Sequence, residues 1–246
     1  LALFRYLVEV GVGYLTLDRP ARTLSGGEAQ RIALTTALGS HLVGTLFVLD
    51  EPSIGLHPRD IGRLIAILRK LCEAGNTLLV VEHDPAVILA ADHIIELGPG
   101  SGERGGEIVC AGTIGDLLAC PESPSAPYFV RERAPQAGKA VRTDEPSKKE
   151  GEWLRLTGAT AHNLRDVSVD IPLHRFVVVT GVSGSGKSTL VCDILHPAMR
   201  RKVGLPPVPG LIPGELRALE GADSIGTIAL VDQSPIGKSS RSTPAN

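Results

Sequence analysis

The chain has 246 residues, 43% of them hydrophobic, and a formal net charge of −2 at pH 7. This is enough for one or two packed domains, and the near balance of charge argues against an extended nucleic-acid-binding surface in this stretch. No apolar run reaches the roughly 20 residues of a membrane-spanning helix. The cysteines (Cys72, Cys110, Cys120 and Cys192) form no C-x-x-C pair, which favours reduced thiols in a cytoplasmic protein over a zinc site or disulfides.

The first 120 residues alternate helix-like and strand-like segments. Ser25 precedes a run with helical spacing, so it is placed to cap a helix. Residues 46–49 are apolar and end at two carboxylates, as a buried parallel strand does. Helical periodicity returns over residues 61–71. Further strand-like runs cover residues 77–81, 93–97 and 107–110. Strands that alternate with helices predict an α/β fold with a parallel sheet.

The composition changes in the middle of the chain. Residues 121–151 contain scattered prolines among Ser, Lys, Arg and Glu, which is typical of an exposed linker. Strand-like runs return after Trp153, at residues 176–179 and 228–231. We therefore expect three parts, namely residues 1–120, a linker over 121–151, and residues 152–246.

Residues 181–188 match the phosphate-binding pattern G-x-x-x-x-G-K-[ST] between a predicted strand and a predicted helix. In such a loop, backbone amides and the helix N-terminus surround phosphate oxygens. Lys187 is placed to neutralise the β- and γ-phosphates, and the Ser188 hydroxyl to bind Mg²⁺. The predicted nucleotide-binding residues here are Gly181, Val182, Ser183, Gly184, Ser185, Gly186, Lys187, Ser188 and Thr189.

A second candidate phosphate contact lies at Ser25, Gly26 and Gly27, where two glycines expose amides at a predicted helix start. The alternative is a capped helix without a ligand, which is common. The downstream acidic pair Asp50 and Glu51 favours the phosphate interpretation.

Polar residues that follow apolar strands supply the predicted catalytic and metal groups. Carboxylates at a buried strand end are costly unless a cation or a reaction needs them. Asp50 is the predicted Mg²⁺ ligand together with Ser188 and Gln233, and Glu51 is predicted to orient or deprotonate the attacking water. His83 and Gln233 complete the catalytic set, against the simpler alternatives of a structural histidine and a polar loop residue. The remaining histidines singled out, His41, His57 and His174, are interpreted as structural.

The motifs resemble those of ABC-class ATPases, and the segment from Asp50 to Asp60 (Asp-Glu-Pro-Ser-Ile-Gly-Leu-His-Pro-Arg-Asp) resembles the UvrA family, the damage sensors of the excinuclease ABC complex. Similar stretches are residues 80–84, 95–102, 162–164, 231–237 and 241–245. The resemblance implies ABC-type P-loop nucleotide-binding domains that use ATP and Mg²⁺. It also implies a cytoplasmic homodimer that binds damaged double-stranded DNA and loads the excinuclease helicase UvrB, with no membrane association. The family's zinc modules are expected outside this segment.

The order of the motifs is inverted relative to one ABC domain, in which the phosphate loop comes first. Residues 1–120 therefore resemble the C-terminal half of a first ATPase domain, and residues 152–246 the N-terminal half of a second. From this order, and from ends at Leu1 and Asn246 that resemble cuts, we expect a segment of a larger protein. Lys187 and Ser25 are expected at one ATP, and Asp50, Glu51 and His83 at another, so that this piece lacks a complete hydrolytic site.

Two alternatives remain open at this stage. One is a related ABC ATPase that acts in resistance to DNA-binding drugs. It stays open because proline-rich residues 121–151 and the stretch Lys238-Ser239-Ser240 depart from the family pattern. The other is a transporter ATPase subunit, which residues 53–60 disfavour.

Overall fold

A computed structural model of the chain describes residues 2–16, 18–39, 42–133 and 152–232. The α-helices are α1 (Ala2–Glu9), α2 (Gly26–Gly39), α3 (Pro58–Glu73), α4 (Pro85–Leu89), α5 (Ile114–Ala119), α6 (Ala126–Arg133) and α7 (His196–Lys202). The strands are β1 (Thr45–Asp50), β2 (Thr77–Val81), β3 (His93–Gly98), β4 (Glu107–Gly112), β5 (Trp153–Ala161), β6 (Leu164–Pro172), β7 (Phe176–Gly181), β8 (Ala218–Glu220) and β9 (Thr227–Val231).

The main sheet has six strands in the order β4-β3-β7-β2-β1-β9. Only β4 runs antiparallel to its neighbour, so the sheet is mostly parallel, as the sequence predicts. Two strands from after residues 121–151, β7 and β9, pair with strands from before them, so the two predicted parts share one sheet instead of forming separate ones. The proposed boundaries, and the assignment of the parts to two ATPase domains, stay a prediction.

Burial on both faces explains why the central strands are continuous apolar runs. In β1, Leu46 and Val48 pack into one hydrophobic cluster, and Phe47 and Leu49 pack into the cluster on the opposite face. The first cluster is covered by a second, antiparallel sheet of order β6-β5-β8 and by the helical segment from Thr189 to Lys202. Helices α3 to α6 contribute to the second cluster.

The helix predicted over residues 61–71 is confirmed and extends to Pro58–Glu73. His57 is its N-cap, because its Nδ1 accepts a hydrogen bond from the Arg59 amide at 3.2 Å. His174 is also engaged locally, with its ring Nδ1 3.1 Å from the Gly75 carbonyl oxygen. His41 lies outside the described residues. Among those that are described, no helix is long and apolar enough to cross a membrane.

A polar contact at the start of β7 helps to connect the two parts of the chain. The Asp92 carboxylate accepts a hydrogen bond from the Phe176 amide at 2.8 Å, and the Asp92 amide donates to the Phe176 carbonyl at 2.8 Å. Arg69 forms an ion pair with the same carboxylate at 2.5 Å and lies over the Phe176 ring, 5.5 Å from its centroid. Asp92 therefore fixes the register in which β7 enters the sheet.

We expect Asp92→Ala to lower the free energy of unfolding by about 2–3 kcal/mol, because it leaves the Phe176 amide without its acceptor and Arg69 without its counter-ion. Asp223→Ala is the matched control, since Asp223 pairs with Lys202 on the surface with its side chain 85% exposed. It should cost less than about 1 kcal/mol. Chemical denaturation of both variants checks the difference, and equal losses would contradict the assigned role of Asp92.

We also expect residues 1–133 and residues 151–246, co-expressed as two chains, to purify as one complex. The reason is that β7 hydrogen-bonds with both β2 and β3. Size-exclusion chromatography with a tag on one chain checks this. Two pieces that are each soluble and monomeric, and that do not associate, would show that the shared sheet is wrong.

Candidate nucleotide-binding site

Three parallel strands bring the predicted site residues to one edge of the main sheet. The strands β7, β2 and β1 are neighbours and run parallel, so their carboxyl ends meet there. The phosphate-binding loop follows β7, Asp50 and Glu51 lie at the end of β1, and His83 follows β2. The carboxyl edge of an open parallel sheet is where ligands bind in such folds.

The phosphate-binding loop has a backbone that only glycine can adopt at two positions. Gly181 has φ 133°, and a Cβ atom there would lie 1.9 Å from the Leu97 carbonyl oxygen. Gly186 has φ 107°, and its Cβ would lie 2.8 Å from Leu164 Cδ2. A helix then begins at Lys187 and has π geometry over Thr189–Leu195. The loop and the helix start predicted from residues 181–188 are thus both present.

Lys187 lies inside this loop. Its ammonium donates to the Gly181 and Val182 carbonyl oxygens, each at 3.0 Å. Burial lowers the pKa of Lys187, and the charges of Glu51 and Asp50 oppose that shift. The Ser185 hydroxyl is also buried and has no hydrogen-bond partner among the described residues. A buried cation and an unpaired hydroxyl within one loop fit an anionic ligand such as a phosphate.

Ser188 and Asp50 contact each other although 138 positions separate them, with the Ser188 hydroxyl donating to Asp50 Oδ1 at 3.4 Å. Burial raises the pKa of Asp50, and the neighbouring Glu51 charge raises it further. A divalent cation would offset this cost, because it neutralises charge and takes hydroxyl and carboxylate oxygens as ligands. These two residues therefore fit the predicted Mg²⁺ site.

Glu51 and His83 form the second close pair at this edge. Glu51 has a backbone φ of 47°, which is rare for a residue with a side chain and costs strain energy. Its Oε1 lies 3.7 Å from His83 Nδ1, and the His83 side chain is 62% exposed. A carboxylate held by a strained backbone beside an exposed imidazole is an arrangement suited to handling a proton on a bound water.

The structure brings together residues that the motif order assigns to two different ATP molecules. The motif order predicts Lys187 and Ser25 at one nucleotide, and Asp50, Glu51 and His83 at another. Because β7 pairs with β2 instead of starting a separate sheet, Lys187, Ser188, Asp50, Glu51 and His83 lie at the same edge of this chain. Which nucleotide each residue contacts stays a prediction. The role assigned to each residue remains a prediction. Gln233 lies outside the described residues.

The second candidate phosphate contact, at Ser25, Gly26 and Gly27, lies at the start of α2. The Ser25 hydroxyl accepts from the Glu28 amide at 3.3 Å, and Glu28 Oε2 accepts from the Ser25 amide at 2.8 Å. This reciprocal pair is a capping box, so the capping role predicted for Ser25 is confirmed. A Cβ atom at Gly27 would lie 3.1 Å from the Ile54 carbonyl oxygen, so the start of α2 packs on the loop that follows β1.

Two polar residues at this edge were not predicted from the sequence. Gln30 is buried, and its side-chain amide donates to the Asp50 carbonyl at 2.7 Å and to the Val231 carbonyl at 3.3 Å. Asn163 donates to the Gly184 carbonyl of the phosphate-binding loop at 3.2 Å. For Gln30 the available signal was a polar side chain within an otherwise apolar helix face. Asn163 lies in residues 162–164, which resemble the family but by themselves predict no contact with the loop.

Comparison with known proteins places the chain in a family. No family model matches it. It is 52% identical over 240 residues to UvrABC system protein A of Thermus thermophilus and 48% identical to that of Clostridium acetobutylicum. These alignments cover 98% of this chain but 24% and 25% of the relatives.

A solved structure is also similar. The crystal structure of UvrA2 from Deinococcus radiodurans matches with a TM-score of 0.50 and 42% identity, over 88% of this chain and 25% of that one. The mixed α/β architecture with a parallel sheet agrees with this match. The chain spans about a quarter of the length of the curated relatives that it matches, and over that length it belongs to the UvrABC system protein A family.

Proposed function

We propose that the carboxyl edge of the main sheet binds ATP with Mg²⁺ in an ABC-class ATPase site. The contact between Ser188 and Asp50 carries this proposal, because it joins the phosphate-binding loop to the acidic strand in the way a shared cation requires. The buried Lys187 supports it, since a cation held among backbone carbonyls is available to a phosphate.

Each residue then has a distinct task. Lys187 and the amides of residues 181–189 hold the phosphates, and Ser188 and Asp50 hold the metal. When bound, Mg²⁺ neutralises the charge that develops on the phosphate oxygens. Glu51 orients the attacking water and accepts its proton, and His83 holds the terminal phosphate group in place. Gln233 is proposed to contact the metal or that water.

Whether this chain alone completes hydrolysis is a separate question. We propose that it does not, because one contact of a complete ABC site is missing. The carboxylates lie beside the phosphate-binding loop of this chain, so they are not the missing part. In the ABC class the signature motif, which Ser25, Gly26 and Gly27 resemble here, acts on a nucleotide held by a different domain. A second signature, supplied by another domain or another copy of the chain, is thus the missing part.

For the whole protein we propose the DNA-damage recognition component of the nucleotide excision repair excinuclease. The names of the relatives support this over a transporter ATPase. The proposal includes damaged double-stranded DNA and the excinuclease helicase UvrB as partners, a homodimer as the working assembly, and a cytoplasmic location. Zinc, if the whole protein binds it, is proposed to lie outside this segment.

We expect the chain to bind ATP more tightly with Mg²⁺ than with EDTA, and Ser188→Ala to remove most of that difference. Alanine deletes one of the two metal-facing oxygens, which should weaken Mg²⁺-dependent binding by about tenfold (about 1.4 kcal/mol). Ser168→Ala is the control, since its hydroxyl accepts a bond from the Gly158 amide within the β6-β5-β8 sheet, away from the proposed metal site. Isothermal titration calorimetry measures both variants. Equal Mg²⁺ dependence in Ser188→Ala and wild type would argue against the proposed metal site.

We expect the full-length gene product to prefer damaged over undamaged duplex when ATP is present, and Lys187→Ala to reduce that preference at least about fivefold by weakening ATP binding. Fluorescence anisotropy with a lesion-containing and a matched intact duplex, at fixed salt, measures it. Equal affinity for the two duplexes would contradict the role in repair and favour a related ABC ATPase outside repair. It would not contradict the proposed nucleotide site.

A further inference from the structure

One buried carboxylate at the site edge has no role in the function proposed above. Glu82, directly after β2, is fully buried and lies between Val81 and the candidate catalytic His83. Burying a carboxylate is costly unless hydrogen bonds replace its water. The hydrogen bonds of Glu82 identify the segments that it connects.

Its two oxygens accept hydrogen bonds from different loops. Oε1 accepts from the Ser53 amide at 2.7 Å, in the loop that carries Glu51. Oε2 accepts from the His83 amide at 3.0 Å and from the Asp84 amide at 3.1 Å, in the loop that carries His83. The Glu82 backbone amide donates to the Val179 carbonyl at 3.0 Å, which ties the same residue to β7.

We propose that Glu82 is a positioning residue that sets the distance between the Glu51 carboxylate and the His83 imidazole. Glu51 is two residues before Ser53, and its strained φ of 47° needs a fixed backbone on both sides. One carboxylate that binds both loops fixes them relative to each other, so the 3.7 Å separation of Glu51 and His83 follows from Glu82. This inference rests on the proposed ATPase site.

Glutamine at this position separates the two loops without changing the size of the side chain. Its carbonyl oxygen can accept from one loop, but its amide group would then point N–H donors at the backbone amide of the other. The contacts of Lys187, Ser188 and Asp50 do not pass through Glu82. Glu82→Gln should therefore leave ATP binding in place and impair the hydrolytic step.

Glu96 provides a matched control. It is also fully buried, and its carboxylate accepts from the Ser123 hydroxyl at 2.5 Å and the Ser125 amide at 3.1 Å. Those residues lie between α5 and α6, in a segment that contains no candidate site residue. Glu96→Gln should therefore destabilise the fold to a similar extent without affecting the separation of Glu51 and His83.

The experiment compares the full-length gene product with its Glu82→Gln, Glu96→Gln and Lys187→Ala variants, by ATP titration and steady-state ATPase kinetics. We expect Glu82→Gln to lower kcat at least about tenfold while the Kd for ATP changes less than about threefold. Glu96→Gln should keep kcat within about twofold of wild type. A Glu82→Gln protein with wild-type kcat, or an equal loss of kcat in Glu96→Gln, would overturn the positioning role.

Two further readouts keep the test decisive. If Glu82→Gln does not fold, Glu82→Asp replaces it, because the shorter carboxylate reaches only one loop and should also lower kcat. Hydrogen exchange of the Ser53 and His83 amides should accelerate in either variant, and unchanged exchange at both would contradict the inference. A wild-type protein that neither binds nor hydrolyses ATP, like Lys187→Ala, would instead show that the proposed function itself is wrong.

Discussion

The placement of β7 between β2 and β3 is the constraint on which the candidate site depends. Its residues Phe176 to Val179 are buried, so hydrophobic burial on both faces stabilises this strand at the centre of the sheet. Parallel pairing then places the phosphate-binding loop beside the ends of β1 and β2. The contact of Ser188 with Asp50 follows from sheet topology, because the two residues are far apart in the chain.

Three neighbouring carboxylates at this edge differ in the groups that contact them. Glu82 accepts three backbone hydrogen bonds, which connect the loop after β1 to the loop after β2. Asp50 accepts one long hydrogen bond from Ser188, and its pKa is raised by burial. Glu51 faces His83. The protein groups around each carboxylate thus indicate different roles. Glu82 is structural, Asp50 is suited to a cation, and Glu51 is suited to a water molecule.

Local patterns predicted the elements but not their arrangement. Apolar runs located β1, β2, β3 and β7, because strands buried on both faces need side chains of that kind. The order of those strands depends on pairing between segments distant in sequence. No local pattern encodes that pairing, so the single edge that Lys187 and Asp50 share could not be predicted from the apolar runs. Glu82 and Gln30 were missed because a lone polar residue resembles a surface position until its hydrogen-bond partners are known.

Ser25 can cap its helix and contact a phosphate at the same time. Its hydroxyl oxygen accepts a bond from the Glu28 amide, which uses one lone pair and leaves the hydroxyl proton to donate elsewhere. Glu28 is itself held by the Tyr14 hydroxyl at 2.6 Å, which lowers the pKa of that carboxyl and keeps the cap ionised. Gln30 ties the same helix to the Asp50 carbonyl. A phosphate at Ser25 would therefore act on a rigid helix joined to the acidic strand, which is the coupling that an ATPase built from opposed domains requires.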